Sequence, residues 1–206
     1  VKAIIDRAGR PEHGGQLLGW NWDSRDAFYG KASQARRLPT RPQLEAILER
    51  CSTREKAIVW MAIGLGFGQK DLSSVLTCQI DAKSYDLRRS KTGMERFGDT
   101  PPGVWRAISA YLAETPRRPE QLLFVTAKGL PLKHSGNISA LVQWWTKLRA
   151  SLPTHLGKDL DGFYVLRHLG ATEFGSRPGC SISDMRRWLG HATSSKVADL
   201  YMKPVA

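Results

Sequence analysis

Apolar positions divide the chain into a weakly patterned start and a strongly patterned remainder. Over residues 1–39, Gly14-Gly15, Asn21, Gly30 and Pro39 interrupt any period, and Trp20, Trp22, Phe28 and Tyr29 are scattered between them. This texture predicts an arm or linker, docked in part through its aromatic rings. From Thr40 onward the pattern is helical. Thr40 stands before Arg41-Pro42, a capping residue ahead of a proline near the first helical position. Leu44, Ile47 and Leu48 then share one face. A second helix is predicted from about Thr53 through Ala57, Ile58, Met61, Ala62 and Leu65. It stops in the turn Gly64-Leu65-Gly66-Phe67-Gly68, and a short helix from Gln69 to Val75 follows.

Between Leu76 and Asp99 the period shortens. Leu76–Ile80, Tyr85–Arg89 and Glu95–Gly98 read as three short strands, with Lys91-Thr92-Gly93 at the tip of the second hairpin. Pro101-Pro102 opens a helix carrying Val104, Ile108 and Leu112 that closes near Pro116, and a short apolar run spans Leu122–Val125. Ser135 or Asn137 begins a helix with Ile138, Leu141, Val142, Trp145 and Leu148. Phe163–Gly175 forms another, broken by Pro178. Ser181 or Ser183 caps the next, which carries Met185, Trp188 and Leu189, and a last helix runs from about Ser195 to Met202. Trp60, Trp105, Trp145 and Trp188 fall on the apolar faces of these helices and are expected to be buried. The fold class is therefore mostly α, an α+β domain with a small three-stranded antiparallel sheet. Its division is an arm over 1–39 and a domain over 40–206.

Composition narrows the partner. Of 206 residues, 31 are Lys or Arg and 19 are Asp or Glu, a net charge of +12. The excess is spread, with +3 over residues 1–40 and +9 over 41–206, so no detachable basic tail accounts for it. Such a charge on a domain with 41% hydrophobic residues points to a polyanion, most often nucleic acid. Cys51, Cys78 and Cys180 are isolated and odd in number, which supports neither a disulfide framework nor a zinc knuckle and suits a reducing cytoplasm. The apolar stretch Ala57–Phe67 is too short for a bilayer, so no membrane association is expected. The five histidines have no metal-ligand spacing, and no metal or cofactor is expected. Gly64, Gly66 and Gly68 do not make a nucleotide loop. They follow a helix rather than a strand, and positions 69 and 71 are Gln69 and Asp71; a tight interhelical turn is the simpler reading.

The last third carries more chemistry. Tyr164-Val165-Leu166-Arg167-His168 opens one helix, Leu189-Gly190-His191 closes another, and Tyr201 lies ten positions beyond His191. Taken singly, Tyr201 could belong to a core stripe with Val197 and Leu200, and His191 could cap a helix C-terminus. In this order, with Lys91 on an upstream hairpin, the set resembles the catalytic domain of the tyrosine recombinases, the phage-integrase family. Ser90-Lys91-Thr92-Gly93 matches the family's hairpin lysine. Arg167 matches the arginine of its His-x-x-Arg box, Leu189-Gly190-His191 matches outright, and Tyr201 has the spacing of the nucleophile. The resemblance spans residues 40–203. Residues 1–39 are too short for the family's N-terminal DNA-clamp domain. Two positions depart: Gly68 stands where the family's first arginine belongs, and Tyr164 replaces the histidine of the box.

The resemblance implies site-specific DNA recombination or integration by strand cleavage and rejoining. Tyr201 would be the nucleophile, Arg167 and His191 would hold the phosphate, Lys91 would protonate the leaving oxygen, and Tyr164 would line the site. Lys70, two positions past Gly68, is the candidate to compensate for the missing arginine, although lysine lacks the guanidinium fork. Arg88, Arg89 and Arg96 would join Lys91 and Arg167 on a concave face that grips the DNA backbone. Double-stranded DNA is the expected partner, with a possible homo-oligomer on DNA, a monomer or weak dimer off it, and a cytoplasmic, nucleoid-associated location. A recombinase-derived duplex-binding module that has lost cleavage is the alternative favoured by Gly68. A basic RNA-binding or structural protein is the remaining one.

Overall fold

The computed structural model describes residues 37–88, 95–132 and 139–191. Helix α1 (Arg41–Arg50) begins at Thr40, whose backbone N–H donates to Gln43 Oε1 at 2.9 Å. In α2 (Thr53–Gly64), Ser52 N–H donates to Glu55 Oε2 at 2.9 Å and Ser52 Oγ accepts from Glu55 N–H, a reciprocal cap that satisfies two otherwise orphaned donors. A short helix α3 (Gln69–Ser74) follows the glycine-rich turn. Strands β1 (Ser84–Arg88) and β2 (Glu95–Asp99) pair antiparallel, with Tyr85 opposite Gly98 and Leu87 opposite Arg96. The rest is helical: α4 (Pro102–Glu114), α5 (Ala140–Ser151), α6 (Thr154–Gly157), α7 (Val165–Gly175) and α8 (Ile182–Leu189). The architecture is mostly α with a small antiparallel sheet, as the sequence predicts.

The sheet differs in one respect. Among the described residues it has two strands, not three. Leu76–Ile80 contains instead a single 3₁₀ turn, Thr77–Gln79, whose ladder pairing is limited to the isolated bridges Leu76 to Leu122 and Ile80 to Tyr85. The reason lies in where its amides go. Gln79 Oε1 accepts from Leu76 N–H at 2.8 Å, while Thr77 and Cys78 donate to the carbonyls of Gln121 and Pro119. A backbone saturated by a loop and by its own side chain cannot extend a ladder. Ser139, rather than Ser135 or Asn137, caps α5, accepting from Val142 N–H. The expected start at 135–137, the helix over 195–202 and the arm lie outside the described residues.

Helix α2 is the hub. It packs against both α4 and α7, while α8 packs against α7 and β2. Its Ala57, Ile58, Val59, Met61 and Ala62 are buried, and Phe67, Leu72, Ile108, Leu123, Phe124 and Trp145 complete the centre of the core. Trp145 is buried as expected and donates through Nε1 to the Asp161 carbonyl at 2.9 Å. Trp188 is also buried, stacked on Phe174 with centroids 5.1 Å apart. The other two tryptophans correct the expectation. Trp60 is 39% exposed and Trp105 only half-buried. Met61 and Ala62 already fill the face that α2 turns inward, so Trp60 covers Gly103 at the rim.

The contact between α2 and α7 is close enough to exclude a side chain. A Cβ placed on Gly170 would lie 1.9 Å from the carbonyl oxygen of Ile63. Gly170→Ala is therefore expected to destabilise the domain at the upper end of the overpacking range, about 3 kcal/mol, despite alanine's advantage of about 1 kcal/mol in a helix. Thermal unfolding checks this; an unchanged melting temperature would mean that the two helices are further apart.

Candidate active site

Two helix ends and one turn bring the polar residues together. Helix α8 stops at Gly190, which adopts the left-handed conformation (φ 62°, ψ 41°), and the His191 N–H returns to the Arg186 carbonyl at 2.9 Å. This C-cap leaves the carbonyls of the final turn, including Trp188 and Leu189, for other donors and points His191 back over the helix end. The turn between α2 and α3 has its own left-handed residue, Gly66 (φ 61°). A Cβ there would also lie 2.5 Å from the Trp188 ring, so the turn is pressed directly against α8. The glycine cluster is thus an interhelical turn, and its carbonyls face the end of α8.

Arg167 joins them. It lies in the first turn of α7 and is 1% exposed. Its Nη1 donates to the Gly66 carbonyl at 2.7 Å and its Nη2 to the Leu189 carbonyl at 2.8 Å, with His191 Nε2 3.3 Å from Nη2. Carbonyls at a helix C-terminus carry partial negative charge, which suits a guanidinium. Tyr164, just before α7, is 37% exposed. The Arg167 guanidinium lies 5.5 Å from its ring centre, and His168 meets the same ring edge-on.

Asp71, 2% exposed on α3, faces this group. Its Oδ2 accepts from Gly68 N–H at 2.9 Å, lies 3.0 Å from Arg96 Nη1 and 3.6 Å from Arg167 Nη1. Arg96 corrects the sequence reading. Expected on a DNA-facing surface, it is completely buried, with Nη2 donating to the Leu65 and Trp188 carbonyls and its guanidinium over the Phe67 ring. The cause is strand parity. Arg96 pairs with Leu87, and Tyr85 and Leu87 mark the buried face of β1. That signal is in the sequence, but it becomes readable only once the hairpin register is known. The place of Asp71 between two arginines likewise becomes readable only in the packed structure.

Gly68 takes an ordinary extended conformation (φ −88°, ψ 179°). A Cβ there would meet Tyr164 Cε2 at 3.5 Å, Arg167 Nη1 at 3.7 Å and Asp71 Oδ2 at 3.7 Å, all ordinary contacts. Position 68 therefore opens onto Arg167, Asp71 and Tyr164. Lys70 is exposed on α3, beside the buried Asp71. Lys91, Arg89 and Tyr201, and the side chain of Arg88, lie outside the described residues. Among the described residues no group of three His, Cys, Asp or Glu side chains could hold a metal ion, and no helix is long and apolar enough to cross a membrane.

Comparison with solved structures gives the class of fold. The chain is similar to the XerA recombinase (21% identity, TM-score 0.63), covering 84% of this chain and 61% of that one. It is similar also to the Tn1549 transposon integrase in complex with circular intermediate DNA (14% identity, TM-score 0.66, 90% of this chain and 68% of that one). A lambda integrase dimer bound to a COC′ core site matches at 17% identity and TM-score 0.61, over 98% of this chain and 56% of that one. The fold is that of the tyrosine-recombinase catalytic domain. The chain spans about three fifths of the length of the XerA recombinase structure. No protein-family model and no curated protein sequence matches it.

Proposed function

We propose that residues 40–206 form a DNA strand-transfer domain that breaks and rejoins duplex DNA through Tyr201. The observation that carries this reading is the convergence of Arg167 and His191, 3.3 Å apart, at the meeting of two helix ends and a turn. Tyrosine titrates near 10, so at neutral pH its hydroxyl needs a site that stabilises the charge arising on the phosphate. The Arg167 guanidinium and His191 supply donors for the non-bridging oxygens. As the Tyr201 oxygen bonds to phosphorus and loses its proton, the bond to the 5′-oxygen breaks, and Lys91 gives that oxygen a proton. The product is a 3′-phosphotyrosine. A 5′-hydroxyl attacks it in the reverse sense, restoring the phosphodiester and releasing the tyrosine, with no net change in bond number. The net charge of +12 supplies the sequence-independent part of duplex binding.

A second reading is favoured by a specific position: Gly68 offers no side chain where the recombinase pattern has an arginine. On that reading the domain binds duplex DNA without cutting it. Incubation with a pool of nicked duplexes of randomised sequence, followed by denaturing electrophoresis, separates the two. Strand transfer yields a covalent adduct that Tyr201→Phe abolishes. Duplex retention with no adduct favours the binding module, and preference for RNA over duplex DNA removes both.

A further inference from the structure

The two positions that depart from the recombinase pattern meet in space. A Cβ placed on Gly68 has Tyr164 Cε2 as its nearest neighbour, 3.5 Å away, ahead of Arg167 Nη1 and Asp71 Oδ2, both at 3.7 Å. Cε2 is bonded to the ring carbon that carries the phenol oxygen. The tip of the tyrosine, not its base, therefore lies against position 68, and an arginine at 68 would contend with that tip for the space beside Arg167. The ring is held from two other directions. Its centre is 5.5 Å from the Arg167 guanidinium carbon, and His168 meets it edge-on with centroids 5.1 Å apart. The residue is exposed, and its hydroxyl has no hydrogen-bond partner among the described residues. An anchored ring thus presents an uncommitted O–H at the edge of the site.

We propose that Tyr164 is a phosphate-binding residue of this site: its hydroxyl donates to a non-bridging oxygen of the phosphodiester that Arg167 and His191 engage, from the side on which Gly68 has no donor to give. The proposal rests on the strand-transfer reading. The chemistry suits the place. A phenol is neutral, so it stands beside a guanidinium without repelling it, and its hydrogen bond to an anionic oxygen is stronger than one between neutral groups. Asp71 Oδ2 faces the same point but accepts from Gly68 N–H at 2.9 Å and lies 3.0 Å from Arg96 Nη1, within the protein. Lys70, the cation expected from the sequence to compensate for Gly68, supplies none of the three atoms nearest that point. The two departures then form one adaptation, in which glycine leaves the space and the phenol tip uses it.

The test is a double-mutant cycle over wild type, Tyr164→Phe, Gly68→Arg and the double variant, read by the dissociation constant for nicked duplex DNA at low salt with melting temperature alongside. Phenylalanine keeps the ring and its packing and removes only the hydroxyl. Tyr164→Phe is expected to weaken binding about tenfold, the loss of one hydrogen bond to a charged group. Its melting temperature should match wild type, because among the described residues the hydroxyl has no partner to lose. In the Gly68→Arg background the same change should cost less than about twofold, since the guanidinium has taken the phenol's place. The loss should be equal on two duplexes of unrelated sequence, because a phosphate carries no base identity. A Tyr164→Phe protein that binds like wild type overturns the proposal. So does one that loses melting temperature along with affinity, or fails to fold, since the hydroxyl would then serve the fold. An equal loss in both backgrounds overturns it by separating the phenol from position 68, and a loss confined to one duplex sequence overturns it by showing that Tyr164 reads a base. Wild-type protein that fails to bind duplex DNA at all overturns the strand-transfer reading and the proposal with it, whereas the differences among variants bear on the proposal alone.

Discussion

Gly68→Arg is expected to raise the yield of covalent adduct on nicked duplex DNA by about 10²–10³, the rate effect of one donor on a charged transition state. The structure removes the main objection to this substitution. Gly68 has a negative φ of −88°, so it is not needed for backbone freedom. A Cβ at that position makes only contacts of 3.5 Å and beyond. The nearest of these is the Tyr164 ring, which is 37% exposed and can swing toward solvent. The melting temperature should therefore shift by no more than a few degrees, and Tyr164→His combined with Gly68→Arg should give at least the gain of the single change. Lys70→Ala, made in the wild-type background, asks whether that exposed lysine already serves as the missing cation. Tyr201→Phe must abolish every adduct. A well-folded Gly68→Arg that cuts no better than an inactive wild type would sink the missing-clamp account, and the duplex-binding module would take its place.

Duplex affinity is expected to fall by about 10³ between 50 and 200 mM salt, the response of a protein that neutralises roughly six phosphates. The net charge of +12 makes this plausible only if the cations gather on one surface. Arg96 is not among them, because its guanidinium is committed inside the fold. Arg88, Arg89 and Lys91 remain the candidates, and Arg89→Ala should lower the slope of log affinity against log salt by about one. Fluorescence anisotropy across a salt series measures both quantities. A nearly flat response would show that backbone electrostatics do not drive binding.

The helices were legible from local rules because their determinants are local. Ser52 and Glu55 satisfy each other's amides, and Gln43 accepts from the Thr40 amide, all within one turn, wherever the helix later packs. Leu189-Gly190-His191 was legible for the same reason, since glycine permits the left-handed cap that ends α8. The third strand failed because Leu76–Ile80 has the apolar content of a strand while its amides are taken by Gln79, Pro119 and Gln121. Two of those three acceptors are some 40 positions away and invisible to a local pattern.

The chain's own order of residues was sufficient for the helical class, the small sheet, the basic balance and the choice of Arg167 and His191 as residues to watch. The first three follow from composition, spacing or contacts within a few positions, and the choice of Arg167 and His191 follows from the resemblance of their motifs to a known family. Packing alone settled the rest. It drew Arg96 from an expected surface into the interior, because strand pairing set its parity against Leu87. It gave the left-handed turn conformation to Gly66, where Trp188 also leaves no room for a side chain, and an ordinary extended one to Gly68. It also placed a single carboxylate between two arginines that stand 71 positions apart in the chain, Arg96 and Arg167. Charge pairing inside a protein depends on distance in space and on exclusion of water, and neither is written in the spacing of residues along the chain.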